Sequence, residues 1–232
     1  MKVSWYSSGV SSAVATKLMI NEIDKIIYTH IDDQHPDTMR FLQDCEKWFG
    51  KPIEIIQSPL KSVNAAMLQA RYVNGSLGAP CTRLLKRKVR LEWEWDREDL
   101  TYVWGMDASE KNRCDRIVKS MPEQKHIFPL VERGIGKAEA HEILSASGIK
   151  RPWMYNYFRN NNCRCCCKGG KGYFALSKKL FPDIFKLRAE TERIIGGTCI
   201  KGIYLDELRD DEGNQPEPIL DDCGIFCELM AL

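Results

Sequence analysis

Short β-prone runs alternate with helical segments along much of the 232-residue chain. β-Branched and aromatic residues mark the strands, whereas apolar residues spaced three or four apart mark the helices. Strands are predicted at residues 2–6, 25–31, 53–57 and 101–106, and helices at residues 13–19, 38–49, 136–147, 173–180 and 183–195. This alternation predicts βαβ units and a doubly wound, mostly parallel α/β sheet, whose ligand crevice lies beyond the carboxyl ends of the strands.

The alternating pattern changes after about residue 130. Residues 153–172 are rich in aromatic residues, Asn, Cys and Gly, which indicates a loop with a functional role. We therefore predict an α/β domain at residues 1–132 and a Cys-rich C-terminal region at residues 133–232 that completes its site.

Composition narrows the class of protein. The net charge of +2 does not by itself require a nucleic-acid or membrane partner. The chain has no apolar run long enough to span a bilayer, and its first residues lack the apolar core of a signal peptide. We therefore expect a cytoplasmic protein with no membrane partner. In that reducing compartment the 10 cysteines indicate metal binding or thiol chemistry rather than a disulfide framework.

A loop of small residues separates the first predicted strand from the first predicted helix. Its residues are Ser7, Ser8, Gly9, Val10, Ser11 and Ser12. Backbone N–H groups can approach an anion closely at such a loop, and the dipole of the following helix favours negative charge. Taken alone, the loop fits a phosphate site and an ordinary turn with Ser12 as helix N-cap about equally well.

Four of the cysteines fall within five residues, at Cys163, Cys165, Cys166 and Cys167. Cys163 and Cys166 form a C-x-x-C pair, a spacing that brings two sulfurs onto one metal centre. A centre with about four ligands needs further partners. The candidates elsewhere in the chain are Cys81, Cys223 and Cys227. Thiolates bind both zinc and iron–sulfur clusters, so the residue types do not decide which metal is bound.

Several polar residues each have two interpretations. A basic group follows Cys81 and fits either phosphate contacts or a solvated helix face; it comprises Arg83, Lys86, Arg87, Lys88 and Arg90. Lys168 and Lys171 could hold an anionic substrate or a nucleic-acid backbone. His35 precedes a proline at a predicted helix start, where it fits a general acid/base or a simple cap.

Five segments resemble, in order along the chain, the phosphoadenylylsulfate (PAPS) reductase-like branch of the PP-loop superfamily, which occurs in prokaryotes and phages. The first is the loop at residues 7–12. The others are DDQHPDT at 32–38, PCT at 80–82 with Lys86, GMDASE at 105–110 with Arg113, and NNCRCCCKGG at 161–170. The resemblance implies a Rossmann-like fold of the adenine nucleotide alpha hydrolase type. It also implies an adenine nucleotide, such as ATP or PAPS, as ligand.

The resemblance further implies which residues form the site. The nucleotide phosphates are expected on the loop at residues 7–12, with Asp33, Lys86, Gly105 and Arg113 nearby. A [4Fe-4S] cluster, with Zn²⁺ as the alternative, is expected on Cys81, Cys163, Cys166 and Cys227. Cys223 lies in an acidic-Cys-Gly-hydrophobic segment similar to the one that carries the nucleophilic thiolate of the reductases. The alternative is that Cys223 is a metal ligand or a packed thiol.

The chain departs from the family pattern at two positions. Ser11 stands where ATP-using members typically have Asp, which favours the reductases over ATP activation. Asp107 stands where many relatives have Arg, so the sulfonucleotide-binding pattern is incomplete.

We therefore expect an enzyme that performs sulfur reduction or transfer on an adenine (sulfo)nucleotide with a cysteine-bound metal centre. Such an enzyme would use an electron or sulfur donor protein. One alternative is ATP-dependent sulfur insertion into a nucleic-acid base. Another is a non-catalytic, zinc-stabilised module that binds a nucleotide or a nucleic acid. The sequence leaves the substrate and the oligomeric state open.

Overall fold

A computed structural model describes residues 1–75 and 78–218. Five parallel strands form one sheet in the order β3-β2-β1-β4-β5. The strands are β1 (Lys2–Tyr6), β2 (Lys25–His30), β3 (Ile53–Gln57), β4 (Thr101–Val103) and β5 (Lys125–Ile127). The all-parallel sheet and its flanking helices confirm the predicted α/β class.

Helices connect the strands and continue beyond the last one. They are α1 (Val10–Leu18), α2 (Asp37–Phe49), α3 (Val63–Ala70), α4 (Lys88–Glu94), α5 (Lys111–Ser120), α6 (Pro129–Glu132), α7 (Lys137–Ala146), α8 (Lys171–Leu180) and α9 (Pro182–Ile195). A π-helical segment, Thr82–Arg87, runs directly into α4. No described helix is long and apolar enough to cross a membrane.

The strand order places a switch point at β1. The chain moves from β1 outward to β2 and β3, and then returns to the other side of β1 for β4 and β5. Because the connections diverge between β1 and β4, a crevice opens outside the carboxyl ends of these two strands. The loop at residues 7–12 follows β1 directly, so it lies at this crevice.

The C-terminal half packs into the same cores as the sheet. On one face, Leu144 of α7 and Tyr155 join Val14 of α1 and Phe41 of α2 in one buried cluster. A second cluster joins α3, α8 and α9 with the cysteine loop. Residues beyond 133 therefore contribute to two buried clusters that also contain residues of the first half of the chain.

A fully buried arginine ties the cysteine loop to this framework. Arg188 of α9 is 0% exposed, and its Nη2 donates to Oδ1 of Asp33 at 2.7 Å. Its other nitrogens donate to Asn64 Oδ1 at 2.5 Å and to the carbonyl of Cys165 at 3.2 Å. The second carboxylate oxygen of Asp33 accepts the N–H of Val63 at 2.7 Å. One guanidinium thus joins α9, α3, the β2–α2 loop and the cysteine loop.

We predict that Arg188→Ala lowers the free energy of unfolding by about 3–5 kcal/mol, because it leaves the carboxylate of Asp33 buried without its cation. Urea denaturation measures this loss. Arg193→Ala is the matched control on the same helix, since Arg193 pairs with Asp206 and Glu207 at the surface, where solvent screens the charges. Equal losses for the two variants would contradict the structural role of the buried pair.

Candidate functional site

A cleft of about 900 Å³ occupies the switch point. Its walls are the β1–α1 loop, the segment that follows β4, the π-helical segment and the cysteine loop. Ten predicted site residues line it: Ser7, Gly9, Ser11, Ser12, Cys81, Lys86, Gly105, Arg113, Cys163 and Cys166. The structure therefore brings the predicted phosphate loop and the predicted metal ligands to one place.

The phosphate-loop candidate forms the start of α1. Gly9, in extended conformation, is the N-cap of the helix, and the N–H of Ala13 donates to its carbonyl at 3.0 Å. The interpretation of Ser12 as N-cap is therefore wrong. Instead, Ser12 Oγ donates to the Gly9 carbonyl at 3.0 Å and accepts the N–H of Ser7 at 3.2 Å. These bonds hold the loop in a closed turn at the helix N-terminus.

Two residues of the loop face the protein rather than the cleft. Val10 is fully buried in the core, and its N–H donates to the hydroxyl of Tyr155 at 3.2 Å. Ser8 is also buried, with a left-handed φ of 57°. The amide of Asn161 donates to the carbonyl of Ser8 at 2.8 Å, which anchors the loop to the residues that precede the cysteines.

Gly105 allows two walls of the cleft to touch. A Cβ on this glycine would lie 2.3 Å from Cα of Ser12, far inside van der Waals contact. The chain leaving β4 therefore crosses directly against the first turn of α1. Predicted strand residues 104–106 do not extend β4, because the chain turns here to pass over the helix.

The segment after Gly105 forms a capping box. Asp107 accepts the N–H of Ser109 at 3.0 Å, and Glu110 accepts the N–H of Asp107 at 3.3 Å. Arg113 donates to the other oxygen of Glu110 at 2.7 Å. Asp107, which departs from the family pattern, therefore has a local structural role at this helix start.

Asp33 lies behind the wall of the cleft rather than in its lining. Its carboxylate accepts from Arg188 and from the N–H of Val63, so both oxygens are occupied within the protein. Its backbone carbonyl accepts the N–H of Arg164 at 2.9 Å. The structure thus shows Asp33 as an anchor for the cysteine loop. Direct contact with a nucleotide stays a prediction.

Four thiols line the cleft, from Cys81, Cys163, Cys166 and Cys167. The sulfurs of Cys81 and Cys167 lie 3.8 Å apart. Tyr173 fixes the loop by donating from its hydroxyl to the carbonyl of Cys163 at 2.7 Å and accepting the N–H of Cys166 at 3.2 Å. Cys165 points into the core instead and is fully buried, with a left-handed φ of 51°.

The clustered thiols differ in acidity. Hydrogen bonding with the Cys167 thiol lowers the pKa of Cys81 and the pKa of Cys166, and the cation of Lys86 acts in the same direction. Burial instead raises the pKa of Cys163 to about 12. A lowered pKa favours the thiolate, which is the reactive form, at Cys81 and Cys166 relative to Cys163.

The thiol set is chemically suited to a soft metal but is not closed around one. Within residues 1–75 and 78–218, no three His, Cys, Asp or Glu side chains converge as ligands of one ion would. The Cys81–Cys167 separation nevertheless equals that of two thiolates on one tetrahedral ion, about 3.8 Å for a Zn–S bond of about 2.3 Å. Cys167, which the sequence left ambiguous, is thus the sulfur nearest to Cys81.

Cys223 and Cys227 lie outside the described residues. Near residue 218, the last described residue, the carbonyl of Glu217 accepts from Nε of Arg159 at 3.1 Å, and Arg159 lines the cleft.

Sequence reasoning missed several residues of the cleft. They are Trp5, Trp104, Lys137, Tyr155, Arg159, Asn160, Asn161 and Asn162. Tyr155 is 145 positions from the residue it contacts in the loop, so no local motif signals the contact. Lys137 begins α7 and donates to Asn160 at 2.5 Å.

His35 serves as a local cap. Its Nδ1 accepts the N–H of Asp37 at 3.2 Å at the start of α2. Its ring stacks on Trp153, with centroids 4.4 Å apart and planes 6° apart. This bond fits the interpretation of His35 as a cap, and a role as general acid/base stays a prediction.

No protein-family model matches the chain, and no curated protein matches it significantly in sequence. These comparisons therefore add nothing to the motif resemblance, and the geometry of the cleft is what supports it.

We predict that Gly105→Ala lowers the free energy of unfolding by about 1–3 kcal/mol, the usual effect of overpacking, because the new methyl group collides with Ser12. Thermal unfolding measures the change. Gly197→Ala is the control: a Cβ there meets its nearest atom, Cγ2 of Val73, at 3.4 Å, an ordinary van der Waals distance, and its φ lies outside the left-handed region. If the two variants were equally stable, the close crossing of β4 over α1 would be contradicted.

Proposed function

We propose that this chain is a PP-loop enzyme of the PAPS-reductase-like kind, with the adenine nucleotide alpha hydrolase-like form of the Rossmann fold. It binds an adenine (sulfo)nucleotide and carries out sulfur reduction or transfer at the thiols of the cleft. The observation that supports this most directly is the shared cleft, where the N-terminus of α1 and four cysteine thiols line one cavity.

The phosphates are assigned to the start of α1. First-turn N–H groups lack intrahelical acceptors, and the helix dipole favours an anion there. Ser7 and Ser11 line the same wall, and the hydroxyl of Ser11 adds a hydrogen-bond donor, whereas the hydroxyl of Ser7 donates to Ser12 Oγ at 3.0 Å. Lys86 and Arg113, which also line the cleft, supply positive charge for phosphate or sulfate oxygens.

The sulfur chemistry is assigned to the thiols opposite. Cys81 and Cys166 have lowered pKa values, which makes them the nucleophilic or ligating thiolates of the cluster. Cys223 is the proposed nucleophile from the C-terminal segment. It lies six residues beyond Glu217, whose carbonyl is held by Arg159 of the cleft.

A cysteine-bound metal centre is part of the proposal. Cys81, Cys163 and Cys166 are the assigned ligands, and Cys167 or Cys227 provides the fourth sulfur. An iron–sulfur cluster would supply electron transfer, whereas zinc would hold the cysteine loop in place. The 3.8 Å separation of the Cys81 and Cys167 sulfurs is compatible with both thiolates on one ion such as Zn²⁺, the alternative to the cluster. Such thiol chemistry suits the reducing cytoplasm and an electron or sulfur donor protein as partner.

A second candidate function is ATP-dependent sulfur insertion into a nucleic-acid base. The observation in its favour is the number of cations that line the cleft beyond Lys86 and Arg113, namely Lys137, Arg159 and Lys168. Ser11 in place of the Asp of ATP-using relatives weighs against it.

The test uses anaerobically purified protein with 5′-adenylyl sulfate, PAPS and ATP in turn, and with excess dithiothreitol as the two-electron donor that sulfite release requires. We expect sulfite release from a sulfonucleotide, with Cys166→Ser abolishing turnover but retaining nucleotide binding. Cys114→Ser is the control, since Cys114 lies on α5 and does not line the cleft. Conversion of ATP to AMP and pyrophosphate would instead support the second candidate. A protein that binds none of the three nucleotides would contradict both candidate functions.

Metal content and the visible spectrum are measured on the same preparation. A brown protein with iron and labile sulfide supports the cluster, and a colourless protein with stoichiometric zinc supports the single ion. A protein with neither metal would contradict the metal centre.

A further inference from the structure

Two thiols from distant parts of the chain meet at the wall of the cleft. Cys81 lies immediately before the π-helical segment, and Cys167 is the last cysteine of the cysteine loop, 86 positions later. Their sulfurs are 3.8 Å apart, which is van der Waals contact. Closing this gap to an S–S bond of about 2.05 Å takes a movement of about 1.8 Å, which side-chain rotation can supply.

The backbone around both cysteines is held by hydrogen bonds. On one side, the amide of Asn74 donates to the carbonyl of Cys167 at 3.1 Å. On the other side, the N–H of Thr82, the residue after Cys81, donates to the carbonyl of Ala79 at 3.0 Å. The contact between the two sulfurs therefore follows from the fold of the chain itself.

The two thiols differ in their access to solvent. Cys81 is half-buried and lines the cleft, whereas Cys167 is 0% exposed. A reagent that enters the cleft therefore reaches the sulfur of Cys81 first. Lys86 and Lys168 also line the cleft, and the charges of both act on the Cys81 thiol. Positive charge at this position favours the approach of an anionic reagent.

The neighbours of Cys167 within the cysteine loop are poor disulfide partners for it. Cys166 is adjacent in sequence, and consecutive Cα atoms are about 3.8 Å apart, below the separation of about 4.4–6.8 Å that is usual in disulfides. Cys165 is fully buried in the core. The geometry therefore selects Cys81, from the opposite wall, as the partner of Cys167.

We propose that Cys81 and Cys167 form a thiol–disulfide switch that controls metal loading. In the metal-free protein, the pair exchanges with an anionic disulfide such as oxidised glutathione and forms an intramolecular disulfide. This bond removes Cys81 from the ligand set, so the metal centre cannot assemble until a dithiol reduces the pair. The inference rests on the proposed function for the metal centre and adds how that centre is regulated.

The exchange takes place in two steps. The thiolate of Cys81 attacks one sulfur of the external disulfide, whose S–S bond breaks, and the first thiolate leaves and takes up a proton from water. Cys167 then attacks the Cys81 sulfur of this mixed disulfide, and the proton of Cys167 goes to the second thiol as it leaves. The two cysteines lose two electrons, and the external disulfide is reduced to two thiols. A dithiol reverses both steps.

The experiment treats metal-free, reduced protein with oxidised glutathione and maps the disulfides of the unreduced digest by mass spectrometry. We expect a crosslink between Cys81 and Cys167, with a mass loss of two hydrogen atoms and no lasting glutathione adduct on either residue. Zinc binding is measured on the same samples after the small thiols are removed. It should be lost on oxidation and return after treatment with dithiothreitol.

Three variants separate the roles of the two thiols. Cys167→Ser should accumulate the mixed disulfide of Cys81 with glutathione, because the second step is blocked. Cys81→Ser should leave Cys167 unmodified, because the sulfur of Cys167 is buried. Cys166→Ser is the matched control: it removes another thiol of the cleft, and the crosslink between Cys81 and Cys167 should still form.

The two proposals fail in different ways. A reduced protein that binds zinc but forms no crosslink between Cys81 and Cys167 overturns this inference alone, as does a crosslinked protein that binds zinc as well as the reduced one. A protein that forms the crosslink but binds no zinc when reduced contradicts the metal centre of the proposed function, and with it the control of metal loading, and leaves the disulfide standing.

Discussion

The ion pair between Arg188 and Asp33 determines where the thiols lie. Removing two charges from water is costly, and this cost is offset only when the pair is fully hydrogen-bonded. Here the guanidinium also binds Asn64 and the carbonyl of Cys165, while the carbonyl of Asp33 accepts the N–H of Arg164. The cysteine loop is therefore held from two sides against the edge of the sheet. Its neighbouring thiols face the cleft because Cys165 is drawn inward.

The geometry of the cleft then depends on two close approaches to α1. Gly105 lets the chain after β4 lie against Ser12, and the hydroxyl of Tyr155 takes up the N–H of Val10. The phosphate-loop candidate is thus fixed by residues from two distant parts of the sequence. A helix N-terminus fixed in this way can bind an anion without the entropic cost of ordering a loop.

Much of the architecture could be predicted from the sequence. Strands β1, β2 and β3, which contain β-branched or aromatic clusters, lie within a few residues of their predicted bounds. The same is true of the helices with clear periodicity. Strand β5 (Lys125–Ile127) and helix α5 were not predicted, because β5 has only three residues and α5 buries only Cys114. In both elements tertiary packing, rather than local pattern, decides the conformation.

The site was predictable only where it depends on local motifs. The small-residue loop and the C-x-x-C pair both mark the cleft, since each motif is contiguous in sequence. The anchoring role of Asp33 and the proximity of Cys167 to Cys81 arise from contacts between distant segments, which no local pattern encodes. Tyr155 and Arg159 enter the cleft for the same reason.

If the nucleotide and the thiols share one cleft, bound nucleotide should protect the thiols, and differential alkylation tests this most directly. Metal-free, reduced protein is treated with iodoacetamide at neutral pH, with and without saturating ATP or PAPS, and each cysteine is quantified by mass spectrometry. Cys81 and Cys166 should react first, and bound nucleotide should slow both several-fold. Cys45 and Cys199, which are buried outside the cleft lining, should stay unreactive in a folded protein. Nucleotide binding that leaves the rates at Cys81 and Cys166 unchanged would place the nucleotide elsewhere and contradict the shared cleft.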